Sequence, residues 1–548
     1  MDAESLGIDY QQLRYRAAPT WAHLTGEYSF AGRFEDVSGD GEAAVGEASR
    51  GIAAQARALV VPPDGSSESL DAAALAWDAE NRAAVLDLRF AELDVDHLFG
   101  PLTELTTTVP KLPLPDEEVA AAMPAKLRAV ARNLDDRIAR LRDGRAAGRT
   151  PVLFAVEGLL AASRARLGSD VDADPLLNLG PTPAAVDRAG LLARVRDVVA
   201  DEVRPAVAAY AESLRLEAAP TARDDEHCGL CWLPDGTGLY AALLRSHTTT
   251  DLGPDEIHRI GLEQVELLEQ EYAELGAEVF GCAHVPTVMR RLRDDPDLHY
   301  RDPDELLRDA RRTLERASLH APRWFGRVPR AGCAVESATS GSLGSYVRPA
   351  RDGSRGATFV VNVADPSAWA RFEVEALSFH EGVPGHHQQI ALAAELTHLP
   401  EFRRTTSVTG YSEGWGLYAE RLADEVGLYS SPLDRFGMLS FDSLRACRLV
   451  VDTGIHALGW SRARAKQYLA ENSPLSSSHV DAEVDRYVVV PGQATAYMLG
   501  RLEIMRIREE ARARLGARFD LARFHDVVLG EGQLPLPLLD AHVRAALR

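Results

Sequence analysis

The sequence predicts a mainly α, large multi-helix fold with one small β element, and three observations carry that expectation. Apolar residues recur at three-to-four spacing over long stretches, helix start and stop signals bracket those stretches, and strand-like composition is confined to one short segment. Ala120 to Asp143 alternates apolar and basic residues at helical spacing, and Leu191 to Leu216 does likewise. Pro254-Asp255-Glu256 opens a helix that ends near Gly281, with proline in the first turn and glycine beyond the end. Asp302-Pro303-Asp304-Glu305 starts another. Pro101 to Pro115 and Pro181 to Pro183 read as turns between helices. Arg308 to Arg316, interleaved with Asp309 and Glu315, reads as a solvated face. The strand is Thr358 to Val363, rich in β-branched and aromatic types and bounded by Gly356 and Asp365-Pro366.

The chemistry concentrates just downstream of that strand. Ser378-Phe379-His380-Glu381-Gly382-Val383-Pro384-Gly385-His386-His387 places three imidazoles and a carboxylate within a short run. These are the side chains that catalytic zinc sites favour, with three protein ligands and a fourth position for water. A glutamate directly after the first histidine matches the opening of H-E-x-x-H helices, where it is the general base. The spacing differs, however. His380 and His386 are six residues apart, roughly 120° off a shared helical face, and His387 lies roughly 10.5 Å along the axis. An undistorted helix therefore cannot chelate one ion with His380 and either later histidine. Pro384 has no N–H for the carbonyl of His380 and its ring clashes there, so a bulge or tight loop is expected between them. Gly382 and Gly385 add backbone freedom. The reading favours His386 over His387.

The third ligand should come from a following helix, Tyr411-Ser412-Glu413-Gly414-Trp415-Gly416-Leu417-Tyr418-Ala419-Glu420, in which Tyr411, Trp415 and Tyr418 share a face. Glu413 and Glu420 are seven apart and project similarly. Glu413 is preferred as the ligand because of its glycine neighbour, and Glu420 is a candidate for orienting a histidine from behind.

His-Glu-Gly-Val-Pro-Gly-His-His-Gln followed by Gly-Tyr-Ser-Glu-Gly-Trp-Gly-Leu-Tyr-Ala-Glu resembles the bacterial DUF885 family, regarded as zinc-peptidase-like. Three further stretches are similar to that family. They are Asp352-Gly353-Ser354-Arg355 leading into Thr358 to Val363, Arg486-Tyr487-Val488-Val489-Val490-Pro491-Gly492-Gln493-Ala494 with Tyr497 and Gly500, and Leu243 to Thr250 with Glu256-Ile257-His258. The resemblance runs over most of residues 220 to 510. It implies a helical, gluzincin-like zinc-peptidase fold with two histidines and one glutamate on Zn²⁺, and it does not specify a substrate. It also suggests Tyr487 and Tyr497 as oxyanion donors, each weighed against an ordinary core role. Arg486 would pair with a substrate carboxylate or equally with Asp485 or Glu483. The strand beside the metal is expected as an edge whose Val360, Val361 and Asn362 receive the substrate backbone, the alternative being a purely structural strand. The family usually carries an aromatic pair where this chain has Val360-Val361.

The expected function is a zinc-dependent hydrolase of amide bonds in short peptides, with Glu381 as base. The alternatives are a zinc hydrolase of a small non-peptide metabolite and a non-catalytic metal-binding protein. The expected organisation is an N-terminal helical region, 1–220, continuous with a metal-site region, 221–548. A net charge of −22 argues against nucleic acid and anionic membranes as partners. Met1 to Arg14 has neither a basic start nor an apolar run, so no secretory signal is expected. No uninterrupted apolar run reaches the roughly 18 residues of a membrane span. Five cysteines form an odd, sparse set. Together these features predict a cytoplasmic protein. Cys228-Gly229-Leu230-Cys231 has the spacing of a zinc or redox pair. It lacks a matching second pair and a βαβ context, so it reads as an incidental pair near a strand or turn.

Overall fold

The computed structural model describes residues 2–59, 67–349 and 355–548; Asp352, Gly353 and Ser354 lie outside the described residues. The described residues are mainly helical with one three-stranded sheet. It divides into two compact units, Met1–Arg57 with Asp78–Leu239, and Ala58–Trp77 with Tyr240–Arg548.

In the first unit the helical periodicity after Ala120 becomes the helix Glu117–Ala146, whose Asp116 side chain accepts the Val119 N–H at 2.9 Å. Met123, Leu127, Val130, Leu134 and Leu141 form its buried stripe. The stripe shares a core with Val195, Val199, Val203 and Val207. Val195 lies on Arg188–Val198 and Val207 on Arg204–Ser213, while Val199 and Val203 lie on the π turn Val199–Val203 that joins these helices into one stretch. Pro101, expected in a turn, instead opens the helix Pro101–Thr107, a position where its missing N–H has no partner to lose. The segment around Cys228 is a turn closed by Arg223, which donates to the carbonyls of Cys228 at 2.7 Å and Gly229 at 2.6 Å. None of the five cysteines is in a disulfide.

The second unit contains α1 (Pro254–Phe280), α2 (Pro303–His320), β1 (Cys333–Ala338), β2 (Gly344–Val347) and β3 (Ala357–Asn362). These are followed by α3 (Glu373–Glu381), α4 (Thr409–Glu425), α5 (Arg435–His456), α6 (Ser477–Val489), α7 (Ala496–Leu515) and α8 (Leu521–Leu529). α1 ends on Gly281 at φ +64°, a left-handed cap that glycine adopts without strain.

The sheet order is β1-β3-β2, with β1 parallel and β2 antiparallel to β3. The segment expected at the edge is therefore the central strand. Val360 pairs with Glu336 on one side and Ser345 on the other, Val361 with Ser337 and Gly344, and Asn362 with Ala338. A substrate backbone cannot add to β3, because its ladder is already filled. The physical reason lies in burial: Ala357, Thr358, Phe359 and Val361 are all buried, the pattern of an interior strand. The edges belong to β1 and β2.

α4 and α7 cross at glycines. A methyl on Gly500 would overlap the carbonyl of Gly410, and one on Gly414 would lie 2.5 Å from the Cα of Gly500. The backbone of α7 therefore rests directly on α4, beside Glu413.

Candidate metal centre

α3 stops at Glu381, and the chain leaves the helix at Gly382 with φ −97° and ψ −125°. Helical geometry resumes at His386, with φ −60° and ψ −37°. The break falls where Pro384 interrupts the ladder. The His387 N–H reaches back to the Gly382 carbonyl at 3.1 Å, closing the detour as a wide turn. Gly385 passes so close to the carbonyls of Phe379 and His380 that a side chain there would overlap both. The Nε1–H of Trp415 donates to the Pro384 carbonyl at 3.0 Å and pins the detour to α4.

The detour turns His386 onto His380, with ring centroids 4.8 Å apart and planes at 84°. Glu413 Oε2 lies 3.4 Å from His386 Nε2 and 3.7 Å from His380 Nε2. One donor atom from each of the three residues falls within 4.8 Å of the others. A Cβ at Gly416 would sit 2.6 Å from His380 Cε1, so the imidazole lies against bare backbone. The glycine that makes room at the site is thus Gly416, whereas Gly414, expected in that role, serves the contact with Gly500.

His387 faces elsewhere. Its Nε2 is 2.9 Å from the Ala331 carbonyl and its Nδ1 is 3.2 Å from the Tyr346 hydroxyl. A carbonyl only accepts, so Nε2 carries the proton and Nδ1 accepts from the tyrosine. Burial lowers the His387 pKa and keeps the ring neutral. Both nitrogens are occupied.

Behind the cluster, Glu420 is fully buried and accepts from His380 Nδ1 at 2.8 Å. Such a carboxylate sets the tautomer and the ring orientation of a ligating histidine. Burial works against a charge on His380, yet Glu413, Glu420 and Glu381 outweigh it and raise its pKa to about 10. Burial likewise opposes ionisation of Glu413, but His380 and His386 hold its pKa well below the usual carboxylate range. The arrangement is therefore one carboxylate facing two imidazoles, with a second carboxylate behind one of them. Glu381, the last residue of α3, is 8% exposed, and its charge acts on His380 and on the Cys333 thiol at the start of β1.

The remaining expected residues, Tyr487, Tyr497 and Arg486, meet one another around Glu483. Tyr487 is fully buried, donates to Glu483 Oε2 at 2.6 Å and accepts from Arg448 Nε at 3.2 Å. Arg486 donates to Gln493 Oε1 at 2.7 Å and to the Tyr497 hydroxyl at 3.4 Å, and approaches Glu483 at 3.6 Å. The sequence does not single out Tyr346, which contacts His387, or Arg448, which contacts Tyr487.

The chain matches, over residues 19–543, the family described as bacterial protein of unknown function (DUF885). The chain belongs to the DUF885 family. This DUF885 protein is also similar to a crystal structure described as "the putative lipoprotein from Colwellia psychrerythraea", with 27% identity, a TM-score of 0.93, and coverage of 100% of this chain and 98% of that one. A structure described as "a putative lipoprotein of unknown function from Shewanella oneidensis" shares the fold at 16% identity and a TM-score of 0.74, with 99% of both chains covered. Comparison with curated proteins finds no match. No helix among the described residues of this DUF885 protein is long and apolar enough to cross a membrane.

Proposed function

We propose that this DUF885 protein is a zinc-dependent hydrolase that cleaves amide bonds of short peptides. The observation that carries the reading is the convergence of His380, His386 and Glu413 to within 4.8 Å, next to the Glu381 carboxylate. Two imidazoles and a carboxylate form the ligand set of one class of catalytic zinc site. The buried Glu420 behind His380 supports the fit, because zinc-ligating histidines characteristically donate their other N–H to a carboxylate.

Zinc held by His380, His386 and Glu413 would supply Lewis-acid polarisation of a carbonyl and a lowered pKa for a water. Glu381 takes the proton from the attacking water and returns it to the leaving nitrogen as the C–N bond breaks. The developing oxyanion needs a donor. Tyr497 suits this better than Tyr487, since its hydroxyl accepts from Arg486 and keeps its own proton, whereas the Tyr487 proton is held by Glu483. An extended substrate would pair with a free sheet edge, β1 or β2. The net charge supports neither nucleic acid nor anionic membrane as partner. The sparse cysteines, none in a disulfide, support a cytoplasmic setting.

The test is Glu381→Gln, which keeps the size of the side chain and removes the base. One zinc per chain should remain by elemental analysis, while peptide hydrolysis falls by roughly 10² to 10⁴. Activity within a few-fold of wild type, with zinc retained, would take Glu381 out of the mechanism. A zinc-loaded wild type that cleaves no peptide would sink the whole reading.

A further inference from the structure

Three arginines converge on one tyrosine beside the metal centre. The Cζ of Arg448 lies 4.5 Å and that of Arg445 5.7 Å from the centroid of the Tyr497 ring, and Arg486 donates to its hydroxyl. Arg445 and Arg448 come from adjacent turns of α5, Arg486 from α6, and Tyr497 from the first turn of α7. The group adjoins the proposed ligands through two routes. Tyr497 is one helical turn before Gly500, which touches Gly414 next to Glu413. Arg445 also attracts Glu420, the carboxylate behind His380.

The hydrogen bonding of the group is incomplete. Among the described residues, Glu483 is the acid in ion-pairing contact with the group, 2.7 Å from Arg448 and 3.6 Å from Arg486. The other nearby acids are occupied: Asp452 by the Tyr240 hydroxyl at 2.6 Å and the Gly492 N–H at 3.0 Å, Glu420 by His380 at 2.8 Å, and Glu373 by the Ser440 hydroxyl at 2.6 Å. Arg445 has no ion pair; its hydrogen bond is a long one, 3.5 Å to the Phe441 carbonyl. It is 6% exposed and Arg448 3%, yet Arg445 Nε and Arg448 Nη1 are buried without a hydrogen-bond partner. A buried guanidinium N–H without an acceptor is disfavoured unless something completes it. A planar carboxylate is the group that its N–H fork matches.

We propose that Arg445, Arg448 and Arg486, gathered on Tyr497, form a carboxylate-recognition pocket, so that the substrate is an acid held at one end while its amide lies at the metal. The proposal rests on the hydrolase reading for its purpose, but binding tests it separately. Calorimetry on the full chain carrying Glu381→Gln would compare trialanine, trialanine amide and the amide of Ala-Asp-Ala. The free acid should bind at least tenfold tighter than its amide. Recovery by the aspartyl amide would assign the pocket to an acidic side chain, and failure to recover would assign it to the C-terminal carboxylate. Arg445→Met, and separately Arg486→Met at the less buried arginine, should weaken the acid tenfold or more and leave the amide unchanged. Equal binding of acid and amide by the parent protein, no binding of either, or retained preference in both arginine variants would mean a pocket filled by water only. If the acid preference holds while the wild type hydrolyses nothing, the hydrolase reading fails and the pocket stands.

Discussion

The Glu420 carboxylate lies 2.8 Å from Nδ1 of His380, while Glu413 lies 3.7 Å from Nε2 on the opposite side of the same ring. Two residues seven apart on α4 thus clasp one imidazole, one from the side shared with His386 and one from behind.

Replacing Glu420 with glutamine should keep the fold and weaken zinc by about 10- to 100-fold, the usual effect of losing such a supporting carboxylate. Competition with a chromogenic chelator measures this. An unchanged zinc affinity would show that the contact is structural only.

The two neighbouring histidines should separate cleanly. His386→Asn should abolish stoichiometric zinc, because its Nε2 faces Glu413 at 3.4 Å. His387→Asn should keep one zinc per chain, because that ring is engaged by Ala331 and Tyr346. Elemental analysis of the purified variants decides it, and the reverse result would reassign the ligand.

Gly416→Ala should damage the site through sterics alone. The added methyl would sit 2.6 Å from His380 Cε1, and Glu420 holds the ring from the far side. Overpacking strain of about 1–3 kcal/mol exceeds the gain of about 1 kcal/mol from better helix propensity. We expect a lower melting temperature together with at least tenfold weaker zinc; a variant as stable and as tight as wild type would mean that the ring moves freely.

His525 should make the fold acid-sensitive. Its Nδ1 donates to the Trp324 carbonyl at 2.8 Å and its Nε2 accepts from Tyr418 at 2.7 Å. Burial lowers its pKa from 6.5 to about 3. Between those values the unfolded chain binds a proton that the folded chain refuses. This stability is therefore complete above about pH 6.5 and is lost as pH falls towards about 3, by about 2 kcal/mol at pH 5. Urea unfolding at pH 7.5 and pH 5 should show that extra loss in the wild type and not in His525→Gln. Equal pH slopes in the two proteins would exclude His525 as the cause.

The proposed ligands are legible in the sequence because they are close along the chain and Pro384 marks where the helix must break. Glu420 is legible from its spacing to Glu413. The sheet is not. Cys333–Ala338 mixes Glu336 and Ser337 with small residues, and Gly344–Val347 has only four residues, so pairing with β3 rather than local preference makes them strands. That pairing also moves Val360 and Val361 from the edge to the centre. Arg445 and Arg448 resemble surface residues when read singly. The available signal is the surrounding run from Phe436 to His456, apolar around much of its circumference, which marks a helix whose charged residues are interior.

The bond from Trp415 to the Pro384 carbonyl ties the segment bearing His380 and His386 to the helix bearing Glu413 without using any ligand atom. The two halves of the site are therefore assembled by the chain itself, unlike small zinc domains that fold only around their ion. A chelator should strip this protein without unfolding it, and added zinc should restore it without refolding. Loaded and stripped forms would then be two states of one folded molecule, interchanged by ion supply instead of by synthesis and turnover of the chain.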